Sequence, residues 1–414
     1  MDLLLYIIIF LSVLIVSNAT NKLFPSLPTP LIQILLGIGL GFFIPVGTFH
    51  LETELFLALI IGPLLFREAE ESDITSILKH WKIVVYLIFP VIFLSTLSLG
   101  FLSHWLWVSL PLAACIAVGA ALGPTDLVAF ASLSERFTFP KRVENILKGE
   151  GLLNDASGLV AFQFALTAWT TGKFSAQEAS TSLILSIIGG FIVGGLTAFL
   201  NRQLQKLLYT VRASDTAGEL LLELSLPLLT FFLAEELHVS GIIAVVVAGI
   251  FKASRFKRIT LLEAQVDTVT DTIWQTVTFM LNGSVFVILG IELETIAEPI
   301  LKSPVYDNLW LLLTILLLTI VLFVIRFVMI YGFYFGRSLR LKKKMSKYWR
   351  DIALLTFSGV KGTVSIATIL LIPTALEQKY PLLLFLVAGV TLLSFLTGLV
   401  ILPRLSENKE ESSD

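Results

Sequence analysis

Charged side chains are scarce in this 414-residue sequence: they form 14% of it, whereas an ordinary soluble domain contains about 25%. The 29 basic and 31 acidic residues are nearly equal in number, so the basic excess that nucleic-acid binding requires is absent. Hydrophobic residues make up 56% of the chain, far more than a disordered chain contains. The composition therefore excludes a soluble enzyme, a disordered chain and a nucleic-acid-binding protein.

Cysteine and histidine are also rare. Cys115 is the single cysteine, so no intramolecular disulfide can form, and the four histidines fall in no HExxH arrangement. The CxxC spacing that is typical of zinc and redox sites does not occur either. We therefore expect no cofactor and no redox or zinc chemistry.

Long hydrophobic runs dominate the sequence, whose mean hydropathy is +0.89. The hydrocarbon layer of a membrane is about 30 Å thick, and crossing it takes about 20 helical residues whose backbone polar groups bond within their own segment. The runs therefore predict an all-α polytopic membrane protein with about 13 transmembrane helices. The predicted spans are residues 2–18, 29–46, 53–66, 82–103, 106–133, 143–170, 182–200, 217–236, 239–253, 271–293, 307–335, 351–373 and 382–402.

Lysine and arginine are distributed unevenly between the predicted loops. Loops that follow odd-numbered spans, with their flanks, hold 22 of the 29 basic residues, whereas loops that follow even-numbered spans hold three. Because cytoplasmic loops are enriched in basic residues, we predict an outside N-terminus and a cytoplasmic C-terminus in the plasma membrane. Residues 1–414 are predicted to form one membrane domain that ends in a short cytoplasmic tail at 403–414.

The fifth predicted span contains a helix break at Gly123-Pro124, because proline lacks a backbone donor and disfavours helical geometry in the residue before it. A membrane tolerates such a break only where protein or water surrounds the freed backbone groups, as at the ion sites of transporters. Thr125 and Asp126 follow the break, so Asp126 could cap the second half-helix. A plain proline kink with a capping aspartate is the structural alternative.

The twelfth predicted span is interrupted by Gly359 and Gly362, which flank Lys361. The two interrupted spans are seven apart, an odd number, so the halves at about 1–170 and 217–402, joined by a linker span at about 182–200, would form an inverted repeat. Two interrupted helices at matching positions of such a repeat indicate a transport site near the middle of the bilayer. Lys361 would either pair with a buried carboxylate or neutralise the C-terminal ends of half-helices.

The sixth predicted span places acidic and amide side chains within the membrane. Glu150 and Asn154 share a helix face, and Asp155 lies roughly 10 Å from the cytoplasmic end. A charge at that depth requires a partner or a function, so the structural alternative is a static salt bridge between Asp155 and Lys361. Arg326, in the eleventh span, could either snorkel towards the interface or form a structural pair.

Three stretches resemble the motifs of NhaP-type sodium/proton antiporters, in the Asn-Asp branch of the monovalent cation:proton antiporter superfamily. Residues 123–129 (GPTDLVA) are similar to the family's ATDPVA, residues 150–155 (EGLLND) to ESLFND, and residues 359–365 (GVKGTVS) to GLRGAVS. The order, spacing and span placement agree, so the resemblance covers essentially the whole chain. It implies a transport domain with two crossed, partly unwound helices, held against a dimerisation domain in a homodimer.

The resemblance also implies a role for each matching residue. Asp155 would bind the monovalent cation and the proton in turn, Asn154 would stabilise the unwound segments, and Thr125 would offer a backbone or hydroxyl ligand. Asp126 would pair the half-helix ends. Glu150 would form a structural charge pair with the basic residue of the twelfth span, which is lysine here.

The sequence departs from the family pattern at three places. Lys361 stands where the family usually has arginine, and lysine cannot form the bidentate contact of a guanidinium. Gly151 replaces a serine and so removes one hydroxyl ligand. Arg67 occupies the place of an acidic residue, which leaves the neighbouring Glu68 as the acidic ligand from the third span.

These observations predict a secondary antiporter that exchanges Na⁺, or alternatively Li⁺ or K⁺, for H⁺ across the bilayer. The cation and the proton would compete for Asp155 in a site that faces each side of the membrane alternately, and the resemblance implies electroneutral exchange. A cation channel or uniporter is the alternative, distinguished by its flux rate. An intramembrane aspartyl protease could use Asp126 and Asp155 but gives Asn154 and Lys361 no role, so we predict a transporter and not an enzyme.

Overall fold

A computed structural model describes residues 2–24, 27–43, 53–126, 137–172, 176–211, 215–253, 261–304, 306–342, 344–372 and 381–408. Nearly all of these residues are helical, which confirms the predicted all-α class. Two short strands, β1 (Phe137–Thr138) and β2 (Glu407–Asn408), pair in antiparallel fashion, with Phe137 opposite Asn408. This pairing ties the segment after the last helix to the segment before the helix that contains Glu150.

The helices are numbered here in chain order. α3 contains a π-helical turn at Leu57–Ile61, just before Pro63, and α5 contains one at Leu87–Val91, around Pro90. Proline cannot donate a backbone hydrogen bond, which favours such a local change in the helix. The helices are α1 (Asp2–Leu23), α2 (Thr29–Gly41), α3 (Thr53–Phe56, Leu57–Ile61 and Gly62–Glu71), α4 (Ile74–Leu78), α5 (Trp81–Tyr86, Leu87–Val91 and Ile92–Leu106), α6 (Leu112–Leu122), α7 (Lys141–Thr171), α8 (Ala176–Thr210), α9 (Thr216–Glu236), α10 (Gly241–Ala253), α11 (Leu261–Lys302), α12 (Asn308–Leu341), α13 (Trp349–Phe357), α14 (Thr363–Ile369) and α15 (Pro381–Leu405).

Several helices have the length and composition of membrane spans, and the chain is a multi-pass membrane protein. Within the described residues six segments meet both criteria: Trp81–Leu106, Ile184–Thr210, Thr216–Glu236, Val269–Ile291, Asn308–Arg340 and Pro381–Leu405. Each predicted span overlaps at least one helix, and the twelfth overlaps both α13 and α14. Residues 127–133 of the fifth span lie outside the described residues. The number of crossings, the crossing of the two broken helices and the inverted repeat stay predictions.

The chain divides into two compact units. Unit 1 comprises Met1–Phe49, His80–Lys173 and Gly283–Asp414, and unit 2 comprises His50–Lys79 and Phe174–Asn282. In unit 1, α6 packs against α5, α7, α14 and α15, and α12 packs against α5, α13 and α15. In unit 2, α10 packs against α3, α8 and α9.

Glycines allow the closest helix contacts in unit 1. Gly119 of α6 faces α5 so closely that a Cβ atom there would overlap the carbonyl oxygen of Thr96. Gly100 of α5 approaches the backbone of Ile116 in the same contact. Small residues permit such backbone contact between helices inside a membrane, where helices associate through close packing. The contact fixes α6, and therefore the helix break that follows Leu122.

We predict that Gly119→Ala lowers the thermal unfolding temperature of the purified protein. The added methyl group would overlap backbone that cannot move away, and overpacking of this kind typically costs about 1–3 kcal/mol. Gly332→Ala is the matched control, because Gly332 in α12 has no neighbour within 4 Å and alanine is the better helix former. Equal unfolding temperatures for the two variants would contradict the predicted contact.

Candidate ion-binding site

The non-helical stretch after α6 and the non-helical segment between α13 and α14, which lie at the two predicted helix breaks, contact each other in unit 1. α6 ends at Leu122, and the backbone is non-helical as far as Asp126. α13 ends at Phe357, and α14 begins at Thr363. The backbone N–H of Asp126 donates a hydrogen bond to the carbonyl oxygen of Val360 (3.0 Å). The backbone N–H of Asp126 and the carbonyl oxygen of Val360 both lie outside helices, so each provides the hydrogen-bond partner that the other lacks.

Lys361 occupies the end of α6. Its ammonium group donates hydrogen bonds to the carbonyl oxygens of Gly123 (2.8 Å) and Pro124 (2.5 Å), and only 2% of the residue is exposed. Backbone carbonyls at the C-terminal end of a helix present partial negative charge, which a nearby cation stabilises. These contacts match one of the two predicted roles of Lys361, neutralisation of the C-terminal end of a helix.

A buried ion pair joins α7 to α12. The guanidinium of Arg326 donates from Nη1 to Oε1 of Glu150 (2.6 Å) and from Nη2 to Oε2 (2.8 Å). The Nε–H of Arg326 donates to the carbonyl oxygen of Leu355 in α13 (2.9 Å). Glu150 is 1% exposed and Arg326 is 4% exposed. This bidentate geometry uses both carboxylate oxygens and three of the five guanidinium donors.

The prediction that Lys361 pairs with Glu150 was wrong, because Arg326 holds both oxygens of that carboxylate. The physical reason is the planar fork of the guanidinium, which matches a carboxylate in a way that an ammonium cannot. Arg326 was the one intramembrane charge to which the sequence assigned no partner. Its position as a lone arginine among apolar residues was the signal, and its distance of 176 positions from Glu150 concealed the pairing.

Two glycines make room for this arrangement. A Cβ atom at Gly359 would overlap the side chain of Arg326, and a Cβ atom at Gly158 would overlap the ring of Pro124. Gly359 was predicted from the sequence as a helix break. Its missing side chain also leaves the space that the guanidinium of Arg326 fills. Gly158 was not predicted, since one glycine in a long helix gives no signal about the residue that packs on it.

Thr125 and Asn154 extend the ion pair into a hydrogen-bond chain. The hydroxyl of Thr125 donates to Oε1 of Glu150 (3.1 Å), and the amide nitrogen of Asn154 donates to Oγ1 of Thr125 (2.7 Å). Both residues are buried. The chain therefore runs from the side chain of Arg326 through Glu150 and Thr125 to the residue that precedes Asp155.

The hydrogen-bond chain fixes the orientation of the Asn154 amide. A carboxylate paired with a guanidinium only accepts hydrogen bonds, so the Thr125 hydroxyl must be the donor in its hydrogen bond with Glu150. The hydroxyl oxygen must then accept the hydrogen bond that joins it to Asn154. The amide nitrogen of Asn154 therefore faces Thr125, and Oδ1 faces the other way. Asn154 is 0% exposed, and Oδ1 accepts no hydrogen bond from any residue that the structure describes. A buried acceptor left without a donor is an unusual and costly feature.

The other predicted site residues have different outcomes. Asp155 follows Asn154 in α7, but its side chain lies outside the described residues. Asp126 is buried, and Gly362 is the residue before α14. Glu68 is partly buried in α3 of unit 2, and its participation in the site stays a prediction.

A network of charged residues in unit 2 was missed by sequence reasoning. Arg67 contacts Glu70 (3.0 Å), Glu71 (2.7 Å) and Asp271 (2.8 Å), and its guanidinium lies over the ring of Trp274. Lys252 continues the network by binding Glu70 (3.2 Å) and Glu223 (2.5 Å). Only the spacing of Arg67, Glu70 and Glu71 was visible as a helical pattern. The cluster explains why α3 can place an arginine beside Glu68.

Comparison with known proteins identifies similar sequences along almost the whole chain. Residues 7–406 match the family model described as "Sodium/hydrogen exchanger, transmembrane". The chain is 36% identical, over 99% of its length, to the sodium, potassium, lithium and rubidium/H⁺ antiporter of Bacillus pumilus (strain SAFR-032). It is also 36% identical, over 98% of its length, to the protein of the same name from Bacillus subtilis (strain 168). The chain spans 62% of the length of each relative.

The fold is similar to that of a solved structure, the sodium proton antiporter MjNhaP1 from Methanocaldococcus jannaschii at pH 8. The TM-score is 0.72, with 98% of both chains covered and 20% sequence identity. At this level of identity the likeness concerns the fold alone.

We predict that Glu150 and Arg326 are strongly coupled in a double-mutant cycle of unfolding. Glu150→Gln and Arg326→Met should each lower stability substantially, since breaking a buried pair leaves an uncompensated charge and costs about 3–5 kcal/mol. The double variant should recover part of this loss, because it removes both charges.

The exposed pair Glu144–Lys148, on the same helix, provides the control for this cycle. Its side chains are 41% and 54% exposed, and an exposed i,i+4 pair contributes only about 0.3–0.5 kcal/mol. Additive effects of Glu150→Gln and Arg326→Met would contradict the pairing.

Proposed function

Because this chain belongs to the sodium/hydrogen exchanger family, we propose that it is a secondary antiporter that exchanges a monovalent cation for a proton across the membrane. The observation that carries the proposal is the buried Oδ1 atom of Asn154, an acceptor without a donor directly before Asp155. A desolvated cation needs oxygen ligands of this kind in place of its hydration shell. The two contacting helix breaks support the same conclusion, since such breaks form ion sites in transporters.

Asp155 is the proposed carrier of both substrates. The carboxylate holds the proton in one half of the cycle and the cation in the other, and the site faces each side of the membrane alternately. Asn154 contributes its free oxygen to the cation, and Asp126 and Thr125 hold the surrounding backbone. Glu150 takes no part in the exchange, because its charge is compensated by Arg326. With one exchanging carboxylate, one proton is exchanged for one cation, and transport is electroneutral.

The proposed substrates are Na⁺, K⁺, Li⁺ and Rb⁺, with Na⁺ as the reference. The names of the two Bacillus relatives include all four cations. Cation preference depends on the number of ligands and the size of the cavity, and Gly151, where the family has a serine, offers no hydroxyl ligand. A site with fewer fixed ligands is expected to discriminate less between cations of different radius.

We also propose the plasma membrane as the location, an outside N-terminus, a cytoplasmic C-terminus and a homodimer. The excess of basic residues in loops after odd-numbered spans supports the orientation. The homodimer rests on the family resemblance, and light scattering of the purified protein would test it. Glu68 is proposed as an additional acidic residue of the ion pathway.

We predict that Asp155→Asn abolishes cation-driven proton movement in everted membrane vesicles. An amide cannot exchange a proton for a cation, whereas the wild type should release protons on addition of Na⁺, Li⁺, K⁺ or Rb⁺. Asp307→Asn is the matched control, since Asp307 is the exposed N-cap residue of α12 and asparagine caps equally well.

The same vesicles distinguish the alternatives. Proton release that persists in Asp155→Asn would refute the role of Asp155. An exchange current that depends on membrane potential would refute electroneutrality. Cation flux at channel rates without proton movement would replace the antiporter with a channel or uniporter.

We predict that Thr125→Val raises the cation concentration for half-maximal transport by roughly tenfold, because one hydrogen bond to a charged group and the orientation of the Asn154 amide are both lost. Thr125→Ser keeps the hydroxyl and should transport like the wild type. Equal effects of serine and valine would show that Thr125 acts by its shape and not by its hydroxyl.

A further inference from the structure

A strongly basic segment follows α12. Residues 337–350 contain seven lysine or arginine residues and no acidic residue, so about a quarter of the basic residues of the chain lie in this one segment. Five of them form what we term the basic platform: Arg337, Arg340, Lys342, Lys344 and Lys347. Such a concentration of one charge sign attracts a partner of the opposite sign.

The basic platform is exposed, and its side chains form no ion pair within the described part of the chain. All five side chains are exposed, and no ion pair joins any of them to a carboxylate in the part of the chain that the structure describes. Asp351, the nearest acidic residue in the sequence, is paired with Arg142 at 3.4 Å. The positive charge of the platform is therefore available to an external ligand.

The platform is held by a rigid aromatic base. Tyr348 is 5% exposed and packs on Tyr334 with ring centroids 5.1 Å apart. The guanidinium of Arg142 lies against both rings, at 5.3 Å from that of Tyr334 and 5.8 Å from that of Tyr348. Arg142 also donates a hydrogen bond to the Tyr334 hydroxyl (3.1 Å). Because this part of the backbone is already ordered, binding of a ligand at the platform costs little conformational entropy of the segment.

The position of the platform along α12 indicates which anion it meets. The exposed apolar side of α12 continues through Tyr331 and Phe335 to Leu339, which is 64% exposed. α12 has 34 residues, about 51 Å of helix, whereas the hydrocarbon layer is about 30 Å thick. The basic residues therefore lie around the end of the lipid-facing strip, which we place at the depth of the headgroups. Trp349, which is 54% exposed, is of the type that favours this interface.

The backbone conformation of Lys342 is a further sign that a positive charge is retained at the platform. Lys342 ends α12 in the left-handed conformation, with φ 49° and ψ 37°. This position usually holds glycine, because a side chain there is strained. A lysine at such a position keeps a positive charge at the platform in spite of a less favourable backbone.

We propose that the basic platform binds the phosphate group of anionic phospholipids in the adjacent leaflet. The shared chemistry is a phosphate anion bound by lysine and arginine, and the continuous apolar strip of α12 assigns it to a lipid headgroup and not to a free phosphate. Clusters of lysine and arginine next to a transmembrane helix bind anionic lipids through the negative charge of the headgroups. This site is separate from the ion site and does not depend on the proposed transport activity.

The test uses purified full-length protein in neutral detergent, titrated with phosphatidylglycerol or phosphatidylcholine, with lipid binding counted by native mass spectrometry and stability followed by thermal unfolding. We expect phosphatidylglycerol, and not phosphatidylcholine, to bind and to raise the unfolding temperature. The variant K342Q/K344Q/K347Q should need at least roughly tenfold more phosphatidylglycerol for the same effect. The matched control K79Q/K82Q/K206Q removes three exposed lysines elsewhere on the same predicted side and should respond like the wild type.

Three results would overturn the proposal. The platform variant could respond like the wild type, or the control variant could lose the response equally, which would indicate a general effect of surface charge. Inorganic phosphate or glycerol phosphate at the same concentration could also reproduce the shift, which would indicate a site for free phosphate. K342G separates binding from folding: it relieves the left-handed strain, so its unfolding temperature without lipid should not fall, while its response to phosphatidylglycerol should weaken.

Discussion

A carboxylate and a guanidinium that are both almost fully buried must stay together, since separating them inside the protein leaves two uncompensated charges. In this chain the pair is Glu150 and Arg326, and it fixes more than its own two helices. Arg326 also binds the carbonyl of Leu355, which positions the helix before the second break. Glu150 in turn accepts a hydrogen bond from the Thr125 hydroxyl, which fixes the orientation of the Asn154 amide. The orientation of the site next to Asp155 thus depends on one ion pair outside it.

The space around the pair is as important as its charges. Gly359 leaves room for the guanidinium, and Gly158 leaves room for Pro124, so neither break could approach its neighbour if these positions carried side chains. The same principle applies where α6 meets α5 through Gly119. The polar groups of the site are therefore held by backbone surfaces in direct contact, which leaves little freedom for the side chains that point between them.

The sequence was sufficient for the helices, for the positions at which two of them are interrupted, and for the family. The apolar runs predicted the helices, Gly123-Pro124 and the glycines around Lys361 predicted both breaks, and the motif resemblance is confirmed by the family match over residues 7–406. The long-range contacts were not predictable in this way. Two basic residues, Arg326 and Lys361, could each have paired with Glu150, and only the relative placement of α7 and α12 decides between them. In the network around Arg67 in unit 2, the contact with Asp271 and the contacts of Lys252 are also long-range and were missed for the same reason.

Lys361 carries a consequence for the choice of ligands. An ammonium group held by two backbone carbonyls is chemically close to a desolvated monovalent cation held by the same carbonyls. The end of α6 is therefore already occupied by a cation that is covalently attached to the chain and cannot be transported. The oxygens of Gly123 and Pro124 already bind this fixed cation, so in the proposed exchange we expect the mobile cation to use side-chain oxygens such as Oδ1 of Asn154.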